Sequence, residues 1–201
     1  MSIPAITPRR GGRTRSPEAH HAVLIAAAAL LDERGYPAIT IEGIAERSGV
    51  AKSTIYRWWR SKSELVLEAY TTQVNQQVPE PNTGSLDKDL TVFLAQLYRV
   101  VEYPLRVQTL RGLMADAQLD PVFREPFRNW VNSRRQLVAR MLERGLIRGE
   151  ITHHLDINYT IDLVLGPFWH RLLIEHTPLD PSEAANHATH LLNGLRADSH
   201  A

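Results

Sequence analysis

The sequence predicts an all-α protein of about nine helices, with a three-helix helix-turn-helix unit in front and a larger helical unit behind it. Three observations predict it. Apolar residues recur at spacings of three and four along nearly the whole chain, and no stretch sustains the two-residue alternation of a strand. Helix-start residues and helix-stopping glycines fall at the ends of those periodic segments. Hydrophobic residues make up 43% and charged residues 22%, an ordinary globular balance that fills a core.

Residues 1–16 are rich in Pro, Gly, Arg and Ser and read as a disordered basic arm carrying Arg9, Arg10, Arg13 and Arg15. Ser16 stands as an N-cap with Pro17 at the first helical position. Val23, Leu24, Ala26, Ala27, Leu30 and Leu31 then form one buried face, ended by Gly35. Thr40 caps a short helix with Ile41, Ile44 and Ala45; Gly49 breaks it, and a third helix runs from near Ala51 to about Trp58. Ser61-Lys62-Ser63-Glu64 is a capping box, with the glutamate expected to reach back to the cap residue. It opens a fourth helix from Lys62 to about Gln77, so the front unit spans residues 17–77.

Val78 to Ser85 reads as a loop, and residues 86–201 form the second unit. One stripe there holds Leu90, Phe93, Leu94, Leu97, Val100 and Val101, closed by Pro104. A shorter helix holds Leu110, Leu113 and Met114. Pro121 opens a long helix with Phe123, Phe127, Trp130, Leu137, Val138, Met141 and Leu142 on one face. Asp156 caps another, apolar nearly all round between Ile161 and Leu173, and Pro181 opens the last.

Composition excludes several classes. The chain has no cysteine, which removes disulfides, thiolate metal sites and a cysteine nucleophile, and suits a reducing cytoplasm. The longest apolar run, Leu163 to Trp169, is far short of the roughly 20 residues of a membrane span, so no membrane association is expected. There is no glycine-rich phosphate loop, nucleophile elbow or HExxH, so an enzyme, such as a helical one acting on a phosphorylated substrate, is the weaker reading. Among nine histidines, His187 and His190 are three apart and His153 and His154 adjacent. Without cysteine or a carboxylate at fixed spacing, no metal site is expected. Net charge is only +1, yet residues 1–65 hold ten Lys/Arg against six Asp/Glu and the remainder thirteen against sixteen. A basic front on a slightly acidic body suits a protein presenting one end to a polyanion.

Two short helices joined by a glycine turn are the geometry whose second helix enters the DNA major groove. In Thr40-Ile41-x-x-Ile44-Ala45-x-x-Ser48-Gly49-Val50, apolar residues fall only where the helices face each other and the body. The next segment, Ala51 to Trp59, offers small, hydroxyl and cationic groups on its outer side. Small side chains permit approach, hydroxyls bond phosphates or base edges, and arginine forks onto guanine.

Residues 17–65 resemble the DNA-binding domain of the TetR (tetracycline-repressor-like) family, through LLDERGY (Leu30 to Tyr36), TIEGIAERSGVAKSTIYRWW (Thr40 to Trp59) and SKSEL (Ser61 to Leu65). LERGLIRGEI (Leu142 to Ile151), LVLGPFWHRLL (Leu163 to Leu173) and PLDP (Pro178 to Pro181) resemble the ligand-binding half of one branch of these regulators. The resemblance implies phosphate contacts from Lys52, Lys62, Thr40 and Tyr56, and base-edge contacts from Ser53, Thr54 and Arg57. It implies a packing role for Trp59. Ser53 stands where the motif usually carries glycine, and Arg57 and Trp58 occupy variable positions suited to tuning operator choice. Arg13 and Arg15 are either minor-groove contacts or a plain basic tail.

The resemblance further implies double-stranded DNA as a partner, a homodimer through the last two helices, a small-molecule effector, and no cofactor. The expected activity is repression relieved by a small apolar or amphipathic ligand, the alternative being a DNA-binding regulator without an effector pocket. Phe93, Tyr98, Phe127, Trp130 and Trp169 either line a cavity or fill a core. Arg134 falls on the same stripe as Phe127, Trp130, Leu137 and Met141 and needs a partner, either an acid such as Asp116 or Asp162 or a ligand carboxylate.

Overall fold

The computed structural model describes residues 16–75, 80–152 and 156–195, and every regular element among them is helical. Nine α-helices follow in order: α1 Pro17–Arg34, α2 Ile41–Ser48, α3 Lys52–Trp58, α4 Lys62–Asn75, α5 Leu86–Tyr98, α6 Pro104–Leu119, α7 Pro121–Ile147, α8 Ile157–Ile174 and α9 Ala184–Leu195. Short 3-10 turns cover Tyr36–Ala38, Arg99–Glu102 and Pro181–Glu183. No described helix is long and apolar enough to cross a membrane.

The helix starts follow from side-chain chemistry. Ser16 Oγ accepts from the Ala19 amide at 3.3 Å, and Thr40 Oγ1 accepts from the Gly43 amide at 3.1 Å. Asp120 and Asp156 cap α7 and α8 by accepting from the Val122 and Tyr159 amides at 2.8 and 3.1 Å. Each satisfies an amide that the helix itself leaves without a carbonyl. Ser61 Oγ accepts from the Glu64 amide at 3.1 Å as the capping box requires, but Glu64 reaches one residue further, to the Arg60 amide at 2.7 Å.

Proline placement alters three expected boundaries. Pro104 opens α6 instead of closing α5, because α5 ends at Tyr98 and the chain tightens into the Arg99–Glu102 turn first. With Pro104 at its first turn, α6 runs to 16 residues and is no short helix. Pro181 begins a 3-10 turn, and α9 starts only at Ala184.

Packing couples front to back. The front core holds Leu30, Ile44, Ile55 and Leu65 together with Leu113 and Ala117 of α6 and Phe123 and Phe127 of α7. The rear core gathers Leu90, Leu94, Met141, Leu142, Phe168 and Leu192, with α9 lying along α5 and α8 against α7 and α6. Trp130 and Trp169 touch both cores. The front unit is therefore seated on α6 and α7 through α1, α4 and the Tyr36–Ala38 turn, while α2 and α3 pack on α1 and on each other.

Candidate nucleic-acid interface and cavity

The turn between α2 and α3 is fixed by Gly49, whose φ of 69° lies in the left-handed region that other residues enter at a cost. It aims α3 so that Ile55 is fully buried while Lys52, Ser53, Tyr56 and Arg57 face solvent and Thr54 is half-buried. The seven residues of α3 thus carry one anchoring apolar group and a polar outer face. Tyr56 is 54% exposed, a large aromatic surface held out beside Arg57.

Thr40 is exposed, its hydroxyl already capping α2. Lys52 Nζ lies 3.1 Å from Glu42 Oε1, with both side chains more than half exposed. Such a pair contributes little, so the lysine is easily taken over by a phosphate. Lys62 lies 4.3 Å above the Tyr36 ring and donates to the Tyr36 carbonyl at 3.4 Å. Trp59 is only 2% exposed, stacks on His20 with ring centres 5.0 Å apart, and donates its indole N–H to Glu68 at 2.6 Å. It packs rather than faces outward. Arg13 and Arg15 lie outside the described residues.

Behind the front unit a cavity of about 440 Å³ opens among α4 to α8, a size ordinary for small-molecule sites. Phe93, Trp130, Arg134 and Trp169 line it, joined by Tyr70, Arg106, Leu110 and Phe168. Two expected aromatics are elsewhere. Phe127 is 5% exposed in the front core between Phe123 and Trp130, because its turn of α7 packs into that core and not over the cavity. Tyr98 is buried against α9, its hydroxyl 2.8 Å from His187 Nδ1.

Both acids considered for Arg134 are engaged elsewhere. Asp162 pairs with Arg135, and Asp116 accepts from the Tyr36 and Ser63 hydroxyls. Burial holds the Arg134 guanidinium below the usual arginine value. His190 Nδ1 faces the Asn186 carbonyl at 2.8 Å, so it and His187 turn to separate neighbours; His153 and His154 fall outside the described residues.

Sequence reasoning missed the three-residue clasp at the base of the front unit. Tyr36 lies after α1, Ser63 opens α4, and Asp116 sits near the end of α6; the two hydroxyls are 2.9 Å apart and share the carboxylate. Burial, then the Asp116 hydrogen bond, pushes the Tyr36 hydroxyl well above the usual tyrosine value, so it stays protonated and donating. Gly112 makes room: a Cβ there would sit 2.2 Å from the Tyr36 ring. The cavity also draws in Tyr70 from α4, whose ring meets Trp130 edge-on at 6.1 Å.

Residues 23–69 match the family described as bacterial regulatory proteins of the tetR family, and residues 80–191 match the tetracyclin repressor-like C-terminal domain. The HTH-type transcriptional regulator YdeS of Bacillus subtilis is 34% identical over 189 residues, covering 94% of this chain and 95% of its own. The DNA-binding transcriptional repressor TetR of Mycobacteroides abscessus is 29% identical over 178 residues, covering 84% and 87%. The crystal structure of the TetR family transcription regulator SCO0332 superposes with a TM-score of 0.80 at 32% identity, covering 90% of this chain and all of that one. An exposed polar helix on a left-handed glycine turn, family matches on both halves and a relative that covers most of the chain lead to one conclusion: the protein belongs to the TetR family of helix-turn-helix transcriptional regulators.

Proposed function

We propose that the protein is a repressor that binds a palindromic operator as a homodimer and is released when a small molecule fills the cavity behind its DNA-binding unit. The observation that carries this reading is the outer face of α3, where Lys52, Ser53, Tyr56 and Arg57 stand exposed on a helix anchored by buried Ile55. Arg57, Ser53 and Thr54 read base edges, while Lys52, Tyr56, Thr40 and Lys62 hold phosphates. The Mycobacteroides abscessus relative, named as a repressor, favours that sign of regulation.

The dimer forms through α8 and α9. Tyr159, Leu163, Gly166, His170 and Leu173 make a continuous exposed stripe along α8, with Tyr159 63% and Leu173 41% exposed. An exposed row carrying Tyr159, Leu163 and Leu173 on one chain calls for a partner. A two-fold axis there sets two recognition helices about one turn of DNA apart. The cavity supports an effector over a regulator without one, with Phe93, Trp130, Arg134 and Trp169 as its contacts. The cytoplasm, where the operator lies, is the place of action.

Selection from random duplexes, followed by anisotropy titrations at two salt concentrations, tests the reading. The expected result is one enriched palindrome, bound at low nanomolar concentration and weakening steeply with salt. Binding that is equal for all duplexes, or absent at low salt, overturns it.

A further inference from the structure

Tyr70 stands apart from the other polar groups of the cavity. It comes from α4 and is only 4% exposed, yet it lines the chamber. Its ring is set edge-on to Trp130, with centres 6.1 Å apart, and its hydroxyl makes no hydrogen bond among the described residues. A buried hydroxyl in that position has lost its bond to water without replacement, a cost that a ligand can offset. Burial holds this phenol well above the usual tyrosine value, so it keeps its proton. The Arg106 and Arg134 guanidiniums act on it and partly oppose that rise, and nearby positive charge polarises the O–H bond toward donation. What the group lacks is therefore an acceptor.

The rest of the chamber favours an uncharged one. A carboxylate taken into a buried place needs a cation of its own, and the arginines here are engaged. Arg99 pairs with Glu102 and Arg106 with Asp32, each at 4.0 Å, and Arg134 has an interaction of its own. Much of the remaining wall is aromatic. Phe168 and Trp169 meet edge-on at 5.4 Å, and Phe93 faces in from α5. Ring faces and edges of this kind suit flat rings better than a coiled alkyl chain.

We propose that the effector is an uncharged aromatic carbonyl compound, its rings held among Phe93, Trp130 and Trp169 and its carbonyl oxygen accepting from the Tyr70 hydroxyl. This rests on the reading of the cavity as an effector site, and it names the class of molecule that fills it and the residue that selects it.

Isothermal titration calorimetry of the full chain tests the proposal with para-acetylbiphenyl and para-isopropenylbiphenyl, in which a methylene group replaces the carbonyl oxygen. Biphenyl-4-carboxylate and methyl nonyl ketone complete the set. The affinity of the aromatic ketone relative to its hydrocarbon isostere should fall about tenfold in Tyr70→Phe, the scale of one hydrogen bond to a buried donor. Both proteins meet the same two probes, so differences in probe hydration cancel. The unaltered chain should bind the aromatic ketone more tightly than the carboxylate or the alkyl ketone. Thermal melts supply a readout independent of any ligand. Tyr70→Phe should melt at or above the unaltered chain, because the hydroxyl it removes is bonded to nothing; a marked fall, or a variant that does not fold, overturns the assignment of Tyr70. A ratio unchanged by Tyr70→Phe overturns it too, but leaves the effector cavity standing. A carboxylate that binds as tightly as the aromatic ketone overturns the uncharged class, and methyl nonyl ketone matching it overturns the aromatic class. If no probe binds the unaltered chain, the effector reading falls and this inference falls with it.

Discussion

Lys52 and Arg57 share the exposed face of α3, yet their chemistry suits them to different proposed tasks. A lysine ammonium is a point charge that follows phosphates wherever they lie, whereas the arginine fork matches the two acceptors of guanine in the major groove. Arg57→Ala should therefore weaken the selected operator by about 1–3 kcal/mol and relax preference at one base pair of each half-site. Lys52→Ala should weaken all duplexes alike and lower the slope of log affinity against log salt by about one. Anisotropy with matched and scrambled duplexes across a salt series separates the two effects. His187 offers a prediction of another kind. Burial beneath α5 lowers its value from the ordinary 6.5, so the fold binds the neutral ring and resists its protonation. Stability from this group is full above about pH 6.5 and is lost as pH falls and the unfolded chain takes up the proton first. Urea melts at pH 7.5, 6.5 and 5.5 should show that decline, and His187→Gln, which cannot titrate, should make it shallower.

At the scale of the element, α6 is the piece that joins the two functions. Arg106 and Leu110 face the cavity from its first half, and Gly112 and Asp116 meet Tyr36 and Ser63 from its second. A rigid helix that touches both sites is a physical route for coupling, since moving one end moves the other. Asp116 ties α6 to the front unit, because its carboxylate gathers two hydroxyls in a partly buried place. Asp116→Ala should cost about 1.5–3 kcal/mol in urea unfolding, and Tyr36→Phe less, about 1 kcal/mol. The double variant should fall short of their sum by about 0.5 kcal/mol or more, as partners in one network do; strict additivity would mean the clasp is not one unit. None of this was visible in the sequence. Tyr36 and Asp116 are 80 positions apart, and the helical spacing that placed Arg134 on the cavity stripe says nothing about which carboxylate lies nearby in space. Phe127 shows the same boundary from the other side. Its register on α7 was legible, but α7 is 27 residues long and passes from one core to the other, which periodicity alone does not reveal. By contrast, the faces of α1 to α3 were legible in full, because their caps and glycine turns are local chemistry.

At the scale of the whole molecule, a single chain leaves an apolar seam unburied, and the length of that seam argues for a partner related by two-fold symmetry. Along α8, Leu163 is 39% exposed and flanked one turn away by Tyr159 and Gly166. A Cβ at Gly166 or at Gly194 of α9 would meet nothing within 4 Å, so both helices present smooth, open ground for close approach. Burying this face against its own copy stabilises the pair at roughly 25 cal/mol for each Å² of apolar surface removed from water, and places like surfaces against like as an isologous interface requires. Leu163→Asp sets two carboxylates near the axis of that interface, where each loses water without gaining a cation. The variant should sediment as a monomer in analytical ultracentrifugation at concentrations where the unaltered chain is expected to sediment as the proposed dimer. Its helical circular dichroism should be unchanged, because Leu163 already faces outward in the single chain. Operator affinity should drop by orders of magnitude, since one recognition helix then binds one half-site without its twin, while affinity for an isolated half-site should hold. A Leu163→Asp chain that remains dimeric would move the interface off α8, and one that is monomeric yet binds the full palindrome undiminished would separate DNA recognition from dimerisation altogether.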